Sequence, residues 1–416
     1  MNRRFIGMVL LLIVVGFYAL GTGFDFFFRF LYVLLLVTVI GFVWAWLNLR
    51  GIDLRVTRDA NRGQVGGYLA GQVSIVNHTR MPKSWLEVAE ATGPSANTSG
   101  RGLALVREQV RSWRIRTYLA KRGVFRSGQV RLVSQDPFGL FRLRRDFLDP
   151  HPYIVFPAVE ALPDLDARFA GLPSDSRATK HWEQITTDVS SIRSYVEGDS
   201  MRRIHWPYTA RMNQLMVKEF DMGLSAEAWI LLDMFQLSHY SVDLDEINNT
   251  EELSVTVAAS IVNRLMEQSM PVGLATNGDQ DHIYRPDSSP EQRGRLMETL
   301  SEVRAFGDRP LQEFIYAVRP HLNQYNALTL VTSSVETEWV ASLNALRRQG
   351  VEVSVVLVDR SSFGSPTNMS VPLEALSANL IPVYMVRQGD SLNEALQVPV
   401  REIPRSWTAG VAGGVE

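Results

Sequence analysis

The 416-residue chain contains no cysteine. That excludes disulfides, thiolate nucleophiles and cysteine-based zinc sites. It suits a reducing compartment without proving one. Charge of one sign is also missing: 42 Lys and Arg stand against 44 Asp and Glu, for a net charge of −2. No global polyanion-binding character follows from such a balance. There is no glycine-rich Walker A sequence to cradle nucleotide phosphates. No serine sits at a recognisable nucleophile elbow, and the histidines form no ligand cluster of metal-site spacing.

What the chain has in abundance is apolar sequence near its start. Phe5–Leu20 is almost unbroken, and Phe26–Leu47 is a second run interrupted only by Arg29. Each approaches or exceeds the roughly 20 residues that cross a bilayer. The turn between them, Gly21 to Asp25, is too short for a domain, so residues 1–50 predict a transmembrane helical hairpin with Arg29 snorkelling to the interface. A cleaved signal peptide is the rival reading, since Arg3 and Arg4 precede the first run. A second apolar segment following at once, with no small-x-small site before Phe26, weighs against it. Arg3 and Arg4 before the hairpin, with Arg50, Arg55, Arg58 and Arg62 after it, predict that both ends face the cytoplasm. The Asn-x-Ser/Thr triplets at Asn77, Asn97, Asn249 and Asn368 are then chance matches.

Residues 51–160 change to short alternating segments divided by turns, among them Leu69–Val76, Val110–Tyr118 and Gln129–Ser134. This spacing predicts a small antiparallel β-sandwich. Asp136-Pro137-Phe138-Gly139 reads as a strand-ending corner. The domain is locally basic, through Arg107, Arg111, Arg114, Arg116, Arg142, Arg144 and Arg145 among others. That suits contact with anionic lipid at about 1 kcal/mol per residue. With no aromatic stacking platform or recognition helix, no nucleic-acid partner is expected.

Residues 161–190 are rich in proline and small polar residues and read as a linker. From 228 onward strands alternate with helices: Ala228–Asp233, Pro271–Ala275, Leu328–Val331, Val351–Val358 and Ile381–Val386, with helical periodicity at Glu251–Gln268, Pro290–Phe306, Leu311–Leu322 and Glu336–Gln349. A last short helix has Asp390 or Ser391 as its candidate cap. Alternation of this kind predicts a doubly wound α/β layer structure.

The densest functional chemistry lies between Ser191 and Met222, SIRSYVEGDSMRRIHWPYTARMNQLMVKEFDM. Arg193, Tyr195, Asp199, Arg202, His205, Trp206, Arg211, Lys218 and Glu219 are its candidate partner-binding residues. A strand at Ile192–Val196, a helical turn at Met201–Trp206 stopped by Pro207, and a returning strand at Leu215–Phe220 are the local expectations. Three roles remain open. Asp199 could orient His205 as a general base beside anion-binding arginines. Arg193, Asp199 and Arg202 could form a structural ion network. Exposed Tyr, Trp and Arg could form a docking surface.

The pattern R-x-Y-x-x-G-D-x-x-R-x-I-H-W-x-x-x-A-R followed by L-x-V-K-E-F resembles the signature of the bacterial family called domain of unknown function 58. Lys121–Phe125 and Asp136–Phe141 resemble it too. The resemblance implies two membrane helices, a small β domain and a von Willebrand A-like domain over 191–416. It also implies partnership with a MoxR-type AAA+ ATPase, hence a membrane-anchored adaptor working on client proteins and needing no cofactor of its own. A domain of von Willebrand A type would hold a divalent cation through Asp-x-Ser-x-Ser and later Thr and Asp residues. Here the first strand reads Asp233-Met234-Phe235-Gln236-Leu237, and the later loop Thr332-Ser333-Ser334. The cage is degenerate at Asp233, and no tight metal site is expected. An enzyme built on His205 and Asp199, or a metal-dependent ligand-binding domain, are the alternatives.

Overall fold

A computed structural model describes residues 3–90, 101–170, 189–195, 206–212, 214–220, 227–241, 249–367 and 369–400. The chain divides into two units, Met1–Phe156 and Pro157–Glu416.

The first unit begins with α1 (Arg3–Thr22) and α2 (Asp25–Leu49), joined by a turn at Gly23 with φ +63. Glycine accepts that left-handed backbone without Cβ strain. Both helices are long and apolar enough to cross a membrane. Leu10, Ile13, Phe17, Leu35 and Leu36 lie exposed along them, as lipid-facing side chains would.

Only Arg50 and Gly51 separate α2 from β1 (Ile52–Arg58), which pairs with β3 (Tyr68–Asn77), following a three-residue β2 (Arg62–Gln64). Next come β4 (Lys83–Glu90), β5 (Arg101–Leu105), β6 (Val110–Tyr118), β7 (Gly123–Gln135) and β8 (Arg142–Phe156). They form a three-stranded sheet, β1-β3-β6, and a five-stranded sheet, β2-β8-β7-β4-β5. Leu54, Val73 and Ile75 of the first sheet meet Leu86, Val88, Val130 and Leu132 of the second in one core. Every pairing is antiparallel except the short β2–β8 contact, which is parallel. The pair β7–β8, 13 and 15 residues long, is longer than the expected short strands.

The end of α2 is clamped to this sandwich. Lys83 is buried and donates Nζ to the Leu47 carbonyl at 2.6 Å, while Asn48 donates to the Ser84 carbonyl at 2.8 Å. Lys83 thus supplies a donor and a cation at a helix C-terminus, where carbonyls lack partners and the dipole is negative. Burial lowers its pKa. A bulge between Lys83 and Leu86 re-aims the strand, leaving Trp85 at φ +53 and 70% exposed. The corner after β7 behaves as its Asp-Pro sequence predicts. Asp136 accepts from Phe138 N at 2.9 Å and Phe141 N at 2.5 Å.

The second unit starts with a segment that contributes to its core. Leu162 and Phe169 are buried, and the Phe169 ring lies 4.7 Å from that of Tyr384. An antiparallel hairpin follows, β9 (Val189–Ser194) and β10 (Met216–Phe220), with α3 (Trp206–Met212) between its strands. The main sheet is then laid down by β11 (Glu227–Leu232), α4 (Thr250–Glu267), β12 (Val272–Asn277), β13 (Asp281–Asp287), α5 (Pro290–Glu302) and α6 (Leu311–Val318). It is completed by β14 (Asn326–Thr332), α7 (Glu338–Arg348), β15 (Glu352–Val358), α8 (Ser370–Ala378), β16 (Val383–Val386) and α9 (Leu392–Ala395). Its order is β13-β12-β11-β14-β15-β16, parallel except for β13. The central strands are buried along nearly their whole length, as helix-covered parallel strands must be.

Two local expectations are corrected. Pro207 does not stop a helix; it sits in the first turn of α3, where its missing N–H costs nothing. Asp390 does not cap α9, since its carboxylate accepts instead from Arg387 N at 2.9 Å. Ser391 is at the N-cap position but makes no side-chain cap bond.

Candidate functional site

Parallel strands deliver their carboxyl ends to one edge, and where the order reverses between β11 and β14 that edge is the usual ligand position of open α/β sheets. Asp233 emerges there, fully buried, one residue beyond β11, with its N–H on the Val331 carbonyl at 3.0 Å. Its Oδ2 accepts from Thr332 Oγ1 at 2.6 Å. Its Oδ1 accepts from Phe235 N at 3.1 Å and Asn277 Nδ2 at 3.5 Å. Asn277, at the end of β12, accepts from Met234 N at 2.7 Å and donates to the Arg309 carbonyl at 3.1 Å. One carboxylate and one amide therefore lock three strand ends together.

The loop beyond α5 closes on the same point. Gly307 donates to the Met234 carbonyl at 3.1 Å and accepts from Gln236 N at 3.0 Å. A Cβ at Gly307 would collide with the Asn277 carbonyl and come within 3.0 Å of the Met234 carbonyl. Close backbone approach, not a special φ, is why this position needs glycine.

His239 completes the cluster. Its Nε2 lies 2.8 Å from the Asp233 carbonyl, which can only accept, so Nε2 carries the proton. Nδ1 faces the hydroxyls of Thr250 and Ser333, each at 3.3 Å. Burial depresses the imidazole pKa, with the Asp233 and Glu251 charges opposing that shift. The neutral ring is the form the fold accommodates.

The sign follows from linkage. Below the unfolded-chain pKa of about 6.5 the unfolded state takes up a proton before the folded state does. Stability contributed by neutral His239 is complete above that pH and is lost as pH falls toward the depressed folded value. Denaturant titrations between pH 7.5 and 5 should show wild type losing up to about 1.4 kcal/mol per pH unit more than His239→Gln in that window. Parallel curves for the two proteins would refute the assignment.

A second acid occupies the end of β15. Asp359 is buried, and its Oδ1 accepts from Ser361 N at 3.0 Å and Ser361 Oγ at 2.6 Å. Its Oδ2 pairs with Arg387 Nε at 3.2 Å. Beside it, Arg360 lies over the Tyr240 ring at 5.9 Å, and Tyr240 donates to the Gly364 carbonyl at 3.3 Å. Both carboxyl-edge acids thus have their oxygens engaged by protein donors. Among the described residues no cluster of three or more His, Asp or Glu has metal-binding geometry. At the two serine positions of the Asp-x-Ser-x-Ser pattern stand Phe235, which is buried, and Leu237, which is exposed.

The signature segment is built around the small hairpin. Arg193 pairs across the ladder with Val217, Lys218 with Ile192 and Glu219 with Ser191. Tyr195 N donates to the Leu215 carbonyl at 2.9 Å. Thr209 of α3 accepts from Met216 N at 3.0 Å, pinning the helix to β10. On that helix Trp206 is 62% exposed and Arg211 is exposed too. Asp199, Arg202 and His205 lie outside the described residues, as does the expected helical turn from Met201 to His205. Sequence reading missed Asn277, His239, Thr250 and Gly307. Asn277 and Gly307 act through partners far away in sequence, while His239 and Thr250 meet 11 residues apart in a stretch that carries no recognisable motif.

Residues 191–379 match the family model described as "Protein of unknown function DUF58". A relative from Bacillus subtilis (strain 168), "Uncharacterized protein YeaD", is 22% identical over 353 residues, covering 82% of this chain and 84% of the relative. Among solved structures, a β-glucosidase from Listeria innocua in complex with isofagomine aligns at 13% identity and TM-score 0.18. That alignment covers 25% of this chain and 16% of the glucosidase. A cycloisomaltooligosaccharide glucanotransferase from Paenibacillus sp. aligns at 10% identity and TM-score 0.17, covering 80% and 52% of the two chains. Both scores lie below the level of a shared fold.

Proposed function

We propose that this chain, whose residues 191–379 are its DUF58 region, is a membrane-anchored scaffold and not a catalyst. In this reading the hairpin holds it in a bacterial inner membrane, with the rest of the chain on the cytoplasmic side by the positive-inside argument. The signature segment then recruits a MoxR-type AAA+ ATPase that acts on client proteins, and the ATPase supplies the nucleotide chemistry this sequence has no Walker A motif for.

The observation that carries the reading is the closed carboxyl edge. Asp233 and Asp359 spend their oxygens on strand-end hydrogen bonds, so the residues that would do chemistry in an open α/β site serve packing. Numbered from β11, the sheet order reads 3-2-1-4-5-6 with the third strand antiparallel. That order supports a von Willebrand A-like reading of the domain, with a protein-binding role and no cation in the cage. Recruitment falls to exposed anchors such as Trp206 and Arg211, the residue types that dominate binding hot spots.

Binding of the purified full chain in detergent to a purified MoxR-type ATPase tests this. Trp206→Ala combined with Arg211→Ala should weaken capture about 30-fold, the equivalent of a 2 kcal/mol hot spot, while the melting midpoint stays put. An ATPase that ignores the wild-type chain, or binds the double variant equally well, would defeat the proposal.

A further inference from the structure

A cavity of about 720 Å³ lies between the first turn of α1 and the corner joining β7 to β8. Arg4 and Phe5 line it from the helix, and Gln135, Leu140, Phe141 and Arg142 from the corner. Phe141 is wedged against the hairpin, with its ring centre 5.4 Å from that of Phe5 and 5.5 Å from that of Phe42. Gly41 lets the corner approach: a Cβ there would stand 3.4 Å from Asp136 Oδ2.

Depth follows from helix geometry. Twenty residues of α1 span about 30 Å, the thickness of a bilayer's hydrocarbon core. Arg4, at its start, then marks the hydrocarbon boundary. Gly41 sits eight residues before the end of α2, about 12 Å above it, so the corner rises along the hairpin to the same level. Phe138 at the tip of the corner is 52% exposed. Trp85, next to the Ser84 that holds the α2 terminus, presents an exposed indole, and Arg50 stacks on Trp46 at 4.0 Å. Exposed aromatics beside guanidinium groups are what a headgroup layer selects. Lined by two arginines and an amide, with phenylalanines alongside, the cavity matches a phosphodiester with its acyl chains beginning next to it.

We propose that this cavity is a binding site for the headgroup of an anionic glycerophospholipid. Arg4 and Arg142 bind the phosphate and Gln135 donates a hydrogen bond. Glu87, which pairs with Arg142 at 2.8 Å, tempers the charge and competes with the lipid for that guanidinium. The site rests on the reading of α1 and α2 as membrane-spanning.

The test is native mass spectrometry of the full chain in neutral detergent with equimolar phosphatidylglycerol and phosphatidylcholine. Wild type should retain phosphatidylglycerol preferentially. Arg4→Gln and Arg142→Gln should each reduce that preference about fivefold and together bring it near parity. Glu87→Gln, which frees Arg142, should raise it two- to threefold. This gain keeps the test decisive even where the double variant fails to fold. Inorganic phosphate at 10 mM should leave the lipid in place; displacement by phosphate alone would make this a free-anion site and overturn the proposal. Equal retention of both lipids by wild type, or an unchanged preference in the Arg4→Gln and Glu87→Gln variants, would also overturn it. A chain recovered from cells in the aqueous fraction without detergent would overturn the membrane reading itself, whereas a membrane-integrated chain with no lipid preference sinks this site alone.

Discussion

Asp233→Ala should lower the melting midpoint of the full chain in detergent by about 10 °C. The substitution strips the partner from Phe235 N, Thr332 Oγ1 and one proton of Asn277 Nδ2, all buried at the meeting of three strands. Each buried donor left unpaired costs about 1–3 kcal/mol. Thr332 Oγ1 still accepts from Ser334 N, and Asn277 still donates its other proton to the Arg309 carbonyl. Three donors are therefore freed at the lower end of that range, about 3–4 kcal/mol in total, and a unit of this size loses about 2–4 °C per kcal/mol. Asp233→Asn keeps an acceptor for Phe235 N and should lose about a third as much. The same melts at millimolar Mg²⁺ or Ca²⁺ decide between a structural and a cation-holding carboxylate. A bound cation would raise the midpoint by mass action. Because hard divalent ions want about six oxygens and both oxygens of Asp233 already accept from protein donors, the wild-type midpoint should not move. A rise of several degrees that disappears in Asp233→Ala would show that the carboxylate is available after all.

Gly307→Ala should be at least as damaging, although it deletes nothing. Its methyl group has no room between the carbonyl oxygens of Asn277 and Met234, so the loop must back away. Doing so breaks the paired bonds from Gly307 N to Met234 O and from Gln236 N to Gly307 O. Two lost backbone bonds and a displaced segment amount to about 3–5 kcal/mol. Chemical unfolding should show a matching drop in midpoint without a change of slope. Asn277→Ala serves as the companion variant, since it removes the side-chain bridge while leaving the loop's space intact. If Gly307→Ala unfolds at the wild-type denaturant concentration, the close packing of this loop is not a stability determinant.

The core of the α/β unit is readable from its apolar runs because burial on both faces leaves no alternation to misread. Glu352–Val358 and Asn326–Thr332 are of this kind. The strand Asp281–Asp287 escapes such reading for the opposite reason. It lies at the sheet edge and carries Asp, His, Arg and Pro, so it shows no apolar run, although charge and proline are how edges resist further pairing. Asn249 offers only a chance glycosylation triplet to the eye, yet its side chain accepts from Glu252 N at 2.7 Å and starts α4. Pro207 misleads because one residue suits both the stop of one helix and the first turn of the next. The candidate site was least legible of all. Asp233 stands out as an acid ending a strand, but its partners Asn277 and Thr332 lie 44 and 99 residues away. No local pattern encodes a meeting of strand ends.

The junction between α2 and the sandwich has a mechanical consequence. With two residues between helix and strand, and Lys83 and Asn48 bolting the last helical turn to β4, there is no slack to absorb rotation. Helix and sandwich move as one lever. In a bilayer thinner than its apolar length, a spanning helix tilts to hide the excess. In the membrane-spanning arrangement proposed above, such a tilt would swing the whole sandwich through the same angle, converting membrane thickness into the orientation of a domain outside it.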